Sequence, residues 1–226
     1  MKTLGMIGGT SWYSTIEYYR YINSMIGEQF GKHTTPPLLL YSLNVRLMAN
    51  GEWEAIRQTY LSISLKLQQA GAEAILICAN TPHKVCPFVA PQLDIPFIHI
   101  ADATAEEARR LGLDRLGLLG TKHVMEEDFI SGYLKDNHNI QTLIPNQEGR
   151  ELVNQLIVDE LTQGVFLPDS RDSVIREMNV LSSQGAEGMI LGCTELPILI
   201  QPKDVSYPIL NTTYLHAKKA VEFILS

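Results

Sequence analysis

The chain has 226 residues, is 45% hydrophobic and carries a formal net charge of -7. That length suits one large domain or two small ones, each with its own core. The acidic balance argues against nucleic acid as a partner, and no apolar run approaches the length of a membrane span. Met1-Lys-Thr-Leu-Gly-Met-Ile-Gly-Gly runs into glycines too soon for a signal peptide. Three cysteines, Cys78, Cys86 and Cys193, form a sparse set without metal-ligand spacing. Free thiols in a reducing cytoplasm are the expectation.

Residues 3–7 are predicted as a strand, followed by the turn Gly8-Gly9-Thr10-Ser11 and a helix over 14–29. A glycine turn between strand and helix lets a ligand approach the backbone. The third glycine and the acidic residue of the dinucleotide fingerprint are missing, which argues against that cofactor. A second strand covers 37–43, and Asn44, Arg46 and Asn50-Gly51 form its exit loop. Arg46 reads equally as a carboxylate clamp or as a solvated loop arginine. A long helix over 52–70 places Trp53, Ile56, Tyr60, Ile63 and Leu67 on one face. The third strand, 74–78, leads through Ala79 into Asn80-Thr81-Pro82-His83, which opens a helix with proline near its first turn. A fourth strand over 96–100 and a helix over 101–111 follow.

The pattern then restarts. Leu116-Gly-Leu-Leu-Gly120 repeats Leu4-Gly-Met-Ile-Gly8, and a helix over 125–134 and a weak strand over 140–143 follow. Helices are predicted over 149–163 and 171–184, and a strand over 189–191. Gly185-Ala-Glu-Gly-Met-Ile-Leu-Gly-Cys-Thr-Glu195 aligns without gaps on Gly71-Ala-Glu-Ala-Ile-Leu-Ile-Cys-Ala-Asn-Thr81, so that Cys193 falls on Ala79 and not on Cys78. Tyr207-Pro-Ile-Leu-Asn211 repeats Ile95-Pro-Phe-Ile-His99, and a final helix covers 214–225. Three segments in one order, each about 113 residues apart, mark an internal duplication. The fold expected is α/β, with two similar doubly wound parallel-sheet, flavodoxin-like halves and a shared cleft on a pseudo-two-fold axis. The domains expected are 1–100 plus 212–226, and 101–211.

Cys193 stands at the carboxyl end of a strand and near the start of a helix, where N–H groups favour an anion and lower a thiol's pKa. Two thiols facing one small substrate can remove a proton from one side and return one to the other, inverting a stereocentre. A thiol suits this work because its ordinary pKa of about 8.5 moves easily toward neutrality. The α-proton of an amino acid is far less acidic, so preorganised donors must stabilise the carbanion. Helix N–H groups after Gly9, Asn80, Thr121 and Thr194 are candidates to clamp a carboxylate. The scheme needs no cofactor and no metal.

Three motifs carry a resemblance to a known family. Gly5-Met-Ile-Gly-Gly-Thr-Ser-Trp-Tyr-Ser-Thr15, Ala79-Asn-Thr-Pro-His83 and Gly192-Cys-Thr-Glu195 resemble the aspartate/glutamate racemases, the cofactor-independent amino-acid racemases, over essentially the whole chain. The likeness is greatest to the enterobacterial-type branch that begins Gly-Gly-x-Ser-Trp. It implies an isomerase of amino-acid metabolism, independent of pyridoxal phosphate, acting on free aspartate or glutamate. It also implies two α/β domains, a homodimer in the cytoplasm, and one catalytic thiol from each domain.

The chain departs from that pattern. Ala79 stands where the family's first catalytic cysteine opens its motif, and alanine transfers no proton. A lysine that reads the side-chain carboxylate in some aspartate racemases falls near Thr162, and an aspartate after the last strand becomes Asn211. Specificity for acidic side chains therefore rests on the family resemblance and not on these two positions. Ala79 is read in three ways: as an engineered change, as a native residue replaced in function by Cys78 or water, or as native to a one-thiol enzyme. Adjacent strand residues point to opposite faces, which weakens Cys78.

The proposed roles are Cys193 as acid/base, Glu195 orienting or deprotonating it, and Ala79 at the partner position. Gly9, Thr10, Ser11, Arg46, Asn80, Thr81, Thr121 and Thr194 are the candidate substrate-binding residues. The threonines and Ser11 also read as helix caps. Cys86 reads as packing, His83 and His216 as surface or capping residues, and Cys193 alone as a buried structural thiol. A one-thiol decarboxylase of the same superfamily and a non-catalytic amino-acid binding protein are the alternative functions.

Overall fold

The computed structural model of the chain describes residues 1–49 and 51–226. Asn50, expected in the exit loop of the second strand, lies outside the described residues. The chain divides into two compact units, Met1–Ile100 with Thr213–Ser226, and Ala101–Thr212.

The first unit holds a parallel sheet of β1 (Leu4–Gly8), β2 (Leu38–Ser42), β3 (Ala74–Ile77) and β4 (Phe97–Ile98), in the order β2-β1-β3-β4. Its helices are α1 (Trp12–Phe30), α2 (Arg46–Ala49), α3 (Trp53–Gln69) and the short α4 (Cys86–Val89). The inner strands are apolar throughout because both faces are covered. Leu4, Met6, Ala74 and Leu76 meet Tyr18, Ile22 and Ile26 of α1. Ile7, Ile75 and Ile77 meet Ile56, Tyr60, Ile63 and Leu67 of α3 on the other face. Each large side chain so buried contributes about 1.5–3 kcal/mol.

The second unit repeats the plan. A helix, α5 (Ile100–Leu111), leads into β5 (Arg115–Leu119), α6 (Lys122–Glu126), α7 (Asp128–His138), β6 (Gln141–Leu143), α8 (Gln147–Asp159), α9 (Pro168–Ser183), β7 (Gly188–Leu191), α10 (Leu196–Leu199) and β8 (Ile209–Asn211). The sheet is parallel, in the order β6-β5-β7-β8. The last helix, α11 (Thr212–Leu225), sets Ala217, Ala220, Val221 and Ile224 into the core made by Leu4, Tyr18 and Ile22 of the first unit. The fold is α/β, with two flavodoxin-like parallel sheets and interleaved helices.

The repeated tripeptide has a mechanical reason. Gly71 and Gly185 both leave a helix with positive φ, at 98° and 99°. Glu73 and Glu187 then each turn a carboxyl group back on the neighbouring strand. Glu73 Oε2 accepts from the N–H of Thr3 at 2.7 Å, and Glu187 Oε2 accepts from Arg115 and Asp114 at 3.1 and 3.0 Å. Gly71→Ala forces a side chain into that left-handed backbone. We expect it to lower unfolding free energy by roughly 1–2 kcal/mol, read from the urea midpoint at constant slope. An unshifted midpoint would remove this account of the repeat.

Several boundaries differ from the sequence expectation. The single helix expected over 125–134 is two, because Glu127 is extended at φ -96°, ψ 158° and divides α6 from α7. The helix expected over 149–163 ends at Asp159, then closes through a 3-10 turn, Leu161–Gln163, onto Gly164. The helix expected over 171–184 begins earlier, at Pro168, since proline is tolerated in a first turn. Arg46 begins the short α2 instead of lying in an irregular loop.

Candidate active site

Both sheets end their middle strands in segments held by specific contacts, and each unit presents its own set of predicted residues. In the first unit, β1 runs into Gly9, whose φ is +92° and whose Cβ, if present, would lie 2.2 Å from the carbonyl oxygen of Leu43. Only glycine fits that approach. Its N–H donates to Thr15 Oγ1 at 3.0 Å. Thr10 Oγ1 pairs with the hydroxyl of Tyr60 at 2.9 Å, and Ser11 Oγ caps α1 by accepting from the N–H of Ser14 at 3.2 Å. Thr10 is therefore tied to α3, a link that the sequence does not announce.

Ala79, Asn80 and Thr81 follow the adjacent strand β3, so they share this sheet edge with Gly9, Thr10 and Ser11. Ala79 and Asn80 are buried and Thr81 is half-buried. Two side chains pin the backbone here. Ser14 Oγ donates to the carbonyl of Cys78 at 2.5 Å, and His83 Nδ1 lies 2.8 Å from the carbonyl of Ala79. Arg46 is exposed, and its N–H donates to Asn44 Oδ1 at 3.0 Å. Cys78 is packed into the α1 and α11 layer, where burial pushes its thiol well above the ordinary value. Cys86, which opens α4, is buried as well, in keeping with a packing role.

In the second unit, β7 delivers Gly192-Cys193-Thr194-Glu195. Gly192 and Gly120, which ends the neighbouring strand, let the two strand ends close. A Cβ on Gly120 would meet Val124 at 2.8 Å, and one on Gly192 would meet Val124 at 2.8 Å and the Leu119 carbonyl at 3.0 Å. Cys193 Sγ donates to Glu195 Oε2 at 2.9 Å, and Thr194 Oγ1 donates to the same oxygen at 2.7 Å. Both Cys193 and Glu195 are buried. Thr121, after β5, sits at the start of α6, but its hydroxyl makes no cap bond and has no partner among the described residues. Thr212 Oγ1 donates to the carbonyl of Leu191 at 2.9 Å, anchoring the strand end that carries the thiol. A threonine after the last strand is the only sign of that anchor in the sequence.

The thiol's acidity is the main correction. A helix start was expected to lower the Cys193 pKa. It is instead raised well above the ordinary thiol value, first by burial and then by the charge of Glu195 and the hydrogen bond to it. The N–H groups of Glu195 and Leu196 do act in the expected direction, but they are outweighed. The thiol is thus stored protonated, with a carboxyl oxygen at contact distance to take its proton. The described residues contain no group of three or more His, Cys, Asp or Glu that could hold a metal ion. They contain no helix long and apolar enough to cross a membrane.

His83 and His216, read from sequence as surface or capping residues, are fully buried. Ile100 N–H donates to His83 Nε2 at 3.2 Å, so Nδ1 carries the proton and donates to Ala79. His216 Nε2 donates to the carbonyl of Ile98 at 2.8 Å, and Tyr18 OH donates to its Nδ1 at 2.8 Å. Both rings are neutral, and His83 is held down to about 4 by desolvation. His216 is also lowered, by burial and by His83. The unfolded chain therefore binds protons between pH 6.5 and 4 that the folded chain excludes. Stability is complete above about pH 6.5 and falls as the pH drops through that window, by about 3 kcal/mol for His83 alone. Urea midpoints at pH 7.5, 5.5 and 4.5 should decline in that order, with a shallower decline in His83→Gln. A flat series would refute the neutral assignment.

Comparison with known proteins now bears on this arrangement. The sequence model for "Asp/Glu/Hydantoin racemase" matches residues 7–220, nearly the whole chain.

The chain belongs to the Asp/Glu/hydantoin racemase family.

A candidate Asp/Glu racemase from Yersinia pestis has a solved structure that is 40% identical, with a TM-score of 0.95 and full coverage of both chains. An aspartate racemase homologue from Pyrococcus horikoshii is 35% identical, with a TM-score of 0.90 and the same coverage. The broad specificity amino-acid racemase RacX of Bacillus subtilis is 23% identical over 193 residues, which are 84% of this chain and 83% of that protein. The family match spans both units, including the segments on which Ala79 and Cys193 lie. In this member of the racemase family the second segment carries a thiol and the first a methyl group.

Proposed function

We propose that this chain is a cofactor-independent amino-acid racemase-type enzyme in which Cys193 is the thiol acid/base. The observation that supports the reading most is the buried contact of Cys193 Sγ with Glu195 Oε2 at 2.9 Å. Transfer of the thiol proton to Glu195 gives a thiolate, whose negative charge meets the N–H groups of Glu195 and Leu196. The thiolate takes the α-proton of a free amino acid and becomes a thiol again, leaving a carbanion delocalised into the substrate carboxylate. Gly9, Thr10, Ser11, Arg46, Asn80, Thr81, Thr121 and Thr194 are proposed to hold that carboxylate and the amine. Aspartate and glutamate are the proposed substrates, and residues 1–100 plus 212–226 and 101–211 the proposed domains. A cytoplasmic homodimer is the proposed assembly.

Return of the proton from Cys193 restores the starting enantiomer. Inversion needs a proton from the opposite face, and the methyl group of Ala79 has none to give. We therefore propose that the chain as it stands exchanges the α-proton on one face and racemises poorly. The test is proton NMR in D2O with L- and D-aspartate, L- and D-glutamate and a panel of neutral amino acids. The α-proton signal of one enantiomer should fade with little optical inversion. If no amino acid on the panel loses its signal, the racemase reading is wrong for those substrates.

Ala79 also favours a second reading, a one-thiol decarboxylase, in which a malonate-like diacid loses carbon dioxide and Cys193 protonates the resulting carbanion. Release of carbon dioxide from aryl- and alkylmalonates, with no exchange into amino acids, would select it.

A further inference from the structure

Pro82 removes a backbone donor that the duplicated unit has. Carrying the gap-free alignment one residue further sets Leu196 on Pro82, as it sets Cys193 on Ala79. In the second unit the carbonyl of Cys193 accepts from the N–H of Leu196 at 3.3 Å. Proline has no N–H to offer the carbonyl of Ala79. Ala79 is buried, and a buried carbonyl left without a donor costs stability. The imidazole of His83 takes over that role, donating from Nδ1 at 2.8 Å. The second unit has no such ring at the corresponding place, where Pro197 stands.

The ring has little freedom. Its Nε2 accepts from the N–H of Ile100 at 3.2 Å, which keeps the proton on Nδ1. Phe97, His99 and His216 stand roughly edge-on around it, with ring centres 6.1, 4.8 and 5.4 Å away. His83 is fully buried, so bulk water competes for neither nitrogen. Its own backbone N–H donates to the carbonyl of Asn80 at 3.0 Å. One residue thus engages two successive carbonyls. The hydroxyl of Ser14 holds the carbonyl before them, that of Cys78, at 2.5 Å. The peptides on both sides of residue 79 are therefore fixed in rotation. A trans peptide carries its C=O and N–H on opposite sides, and the peptide between Ala79 and Asn80 is trans. Drawing the Ala79 carbonyl onto His83 turns the N–H of Asn80 away from the ring.

We infer that His83 is a positioning residue, which acts through the Ala79 carbonyl to aim the N–H of Asn80 at the substrate carboxylate. The inference rests on the racemase-type reading above, in which Asn80 helps to hold that carboxylate. His83 touches no substrate in this scheme and transfers no proton. Negative charge spreads onto the substrate carboxylate as the α-proton leaves. A donor aimed in advance does most for the state in which that charge develops. Loss of the aim therefore acts on kcat more than on KM.

Two substitutions separate the ring nitrogens. An asparagine amide nitrogen can stand where Nδ1 stands, and a glutamine amide where Nε2 stands. His83→Asn keeps the bond to Ala79 and loses the one to Ile100, His83→Gln does the reverse, and His83→Leu loses both. Exchange of the α-proton in D2O gives kcat and KM for each, measured beside its urea midpoint. His83→Asn should stay within about threefold of the parent kcat. His83→Gln and His83→Leu should lose about 10–100-fold in kcat, with KM moved by less than about threefold. A merely structural histidine would let kcat follow the urea midpoint, which both polar substitutions lower. That pattern, or His83→Gln at the parent kcat, would overturn the proposal. So would a nitrogen-15 spectrum of the parent chain with the ring proton on Nε2, a result that needs no variant to fold. A parent chain that exchanges no amino acid removes the racemase reading instead. The aim is then read from the amide resonance of Asn80, which should shift in His83→Gln and hold in His83→Asn; the opposite pattern overturns it.

Discussion

Replacing Cys193 with alanine is expected to lower α-proton exchange by about three orders of magnitude or more, the usual contribution of a positioned acid/base group. The measurement is the decay of the α-proton signal in D2O for the enantiomer that the parent chain exchanges. The variant should keep its fold, because residue 193 sits in an apolar core with Met189, Leu191 and Leu196 that accepts a smaller side chain at modest cost. Cys193→Ser separates geometry from acidity. It keeps a hydroxyl able to reach Glu195 but raises the pKa of the group further, so exchange should remain at the alanine level. Thermal stabilisation by the amino acid should survive in both variants, since Asn80, Thr81 and Thr194 are untouched. Undiminished exchange in Cys193→Ala would move the chemistry away from this strand end altogether.

Installing the second thiol is the converse experiment. Ala79→Cys is expected to convert one-sided exchange into racemisation, raising inversion of the exchanging enantiomer by roughly 10²–10⁴-fold. Chiral chromatography of aspartate and glutamate incubations gives the ratio of inversion to exchange directly. The position is well fixed to receive a catalytic group. Its carbonyl is held by His83 at 2.8 Å, and the preceding carbonyl by Ser14 at 2.5 Å. Cys78 offers no route around the alanine. It is 1% exposed among Tyr18, Leu76 and Ala217, and burial pushes its thiol far up. Ala79→Ser is the control, polar but a far weaker base, and should restore little. If Ala79→Cys exchanges on one face and still fails to invert, the assignment of residue 79 to the opposite face falls, while Cys193 keeps its role.

The elements most legible in the sequence are those whose cause is local. The inner strands announce themselves as short apolar runs because both faces of each sheet are covered. The duplication shows through Gly71-Ala-Glu73 and Gly185-Ala-Glu187 because a left-handed turn and a returning carboxyl group recur in both units. What was not legible depends on distant parts of the chain. Glu127 breaks a helix without being glycine or proline, and its side chain instead pairs with His123 at 2.7 Å. His216 looks like a polar residue on an amphipathic helix until Tyr18, nearly two hundred residues earlier, closes over it. Tyr60 reads as one more core aromatic, although its hydroxyl meets Thr10. The acidity of Cys193 went the wrong way for the same reason. A sequence displays a helix start, but the burial that outweighs it is a property of the assembled core.

The route of α11 bears on how the protein is made. The second unit is one uninterrupted stretch, so a nascent chain holds all of it once Thr212 has left the ribosome. The first unit, although synthesised earlier, lacks part of one layer until Ala217, Ala220, Val221 and Ile224 arrive to join Leu4, Tyr18 and Ile22. Vectorial synthesis normally favours folding from the amino terminus. Here the order is inverted: the later-made half can mature first, and the earlier-made half waits with part of its α1 layer unfilled. Chaperone contact during translation should therefore concentrate on the first hundred residues, and persist until the final helix is released.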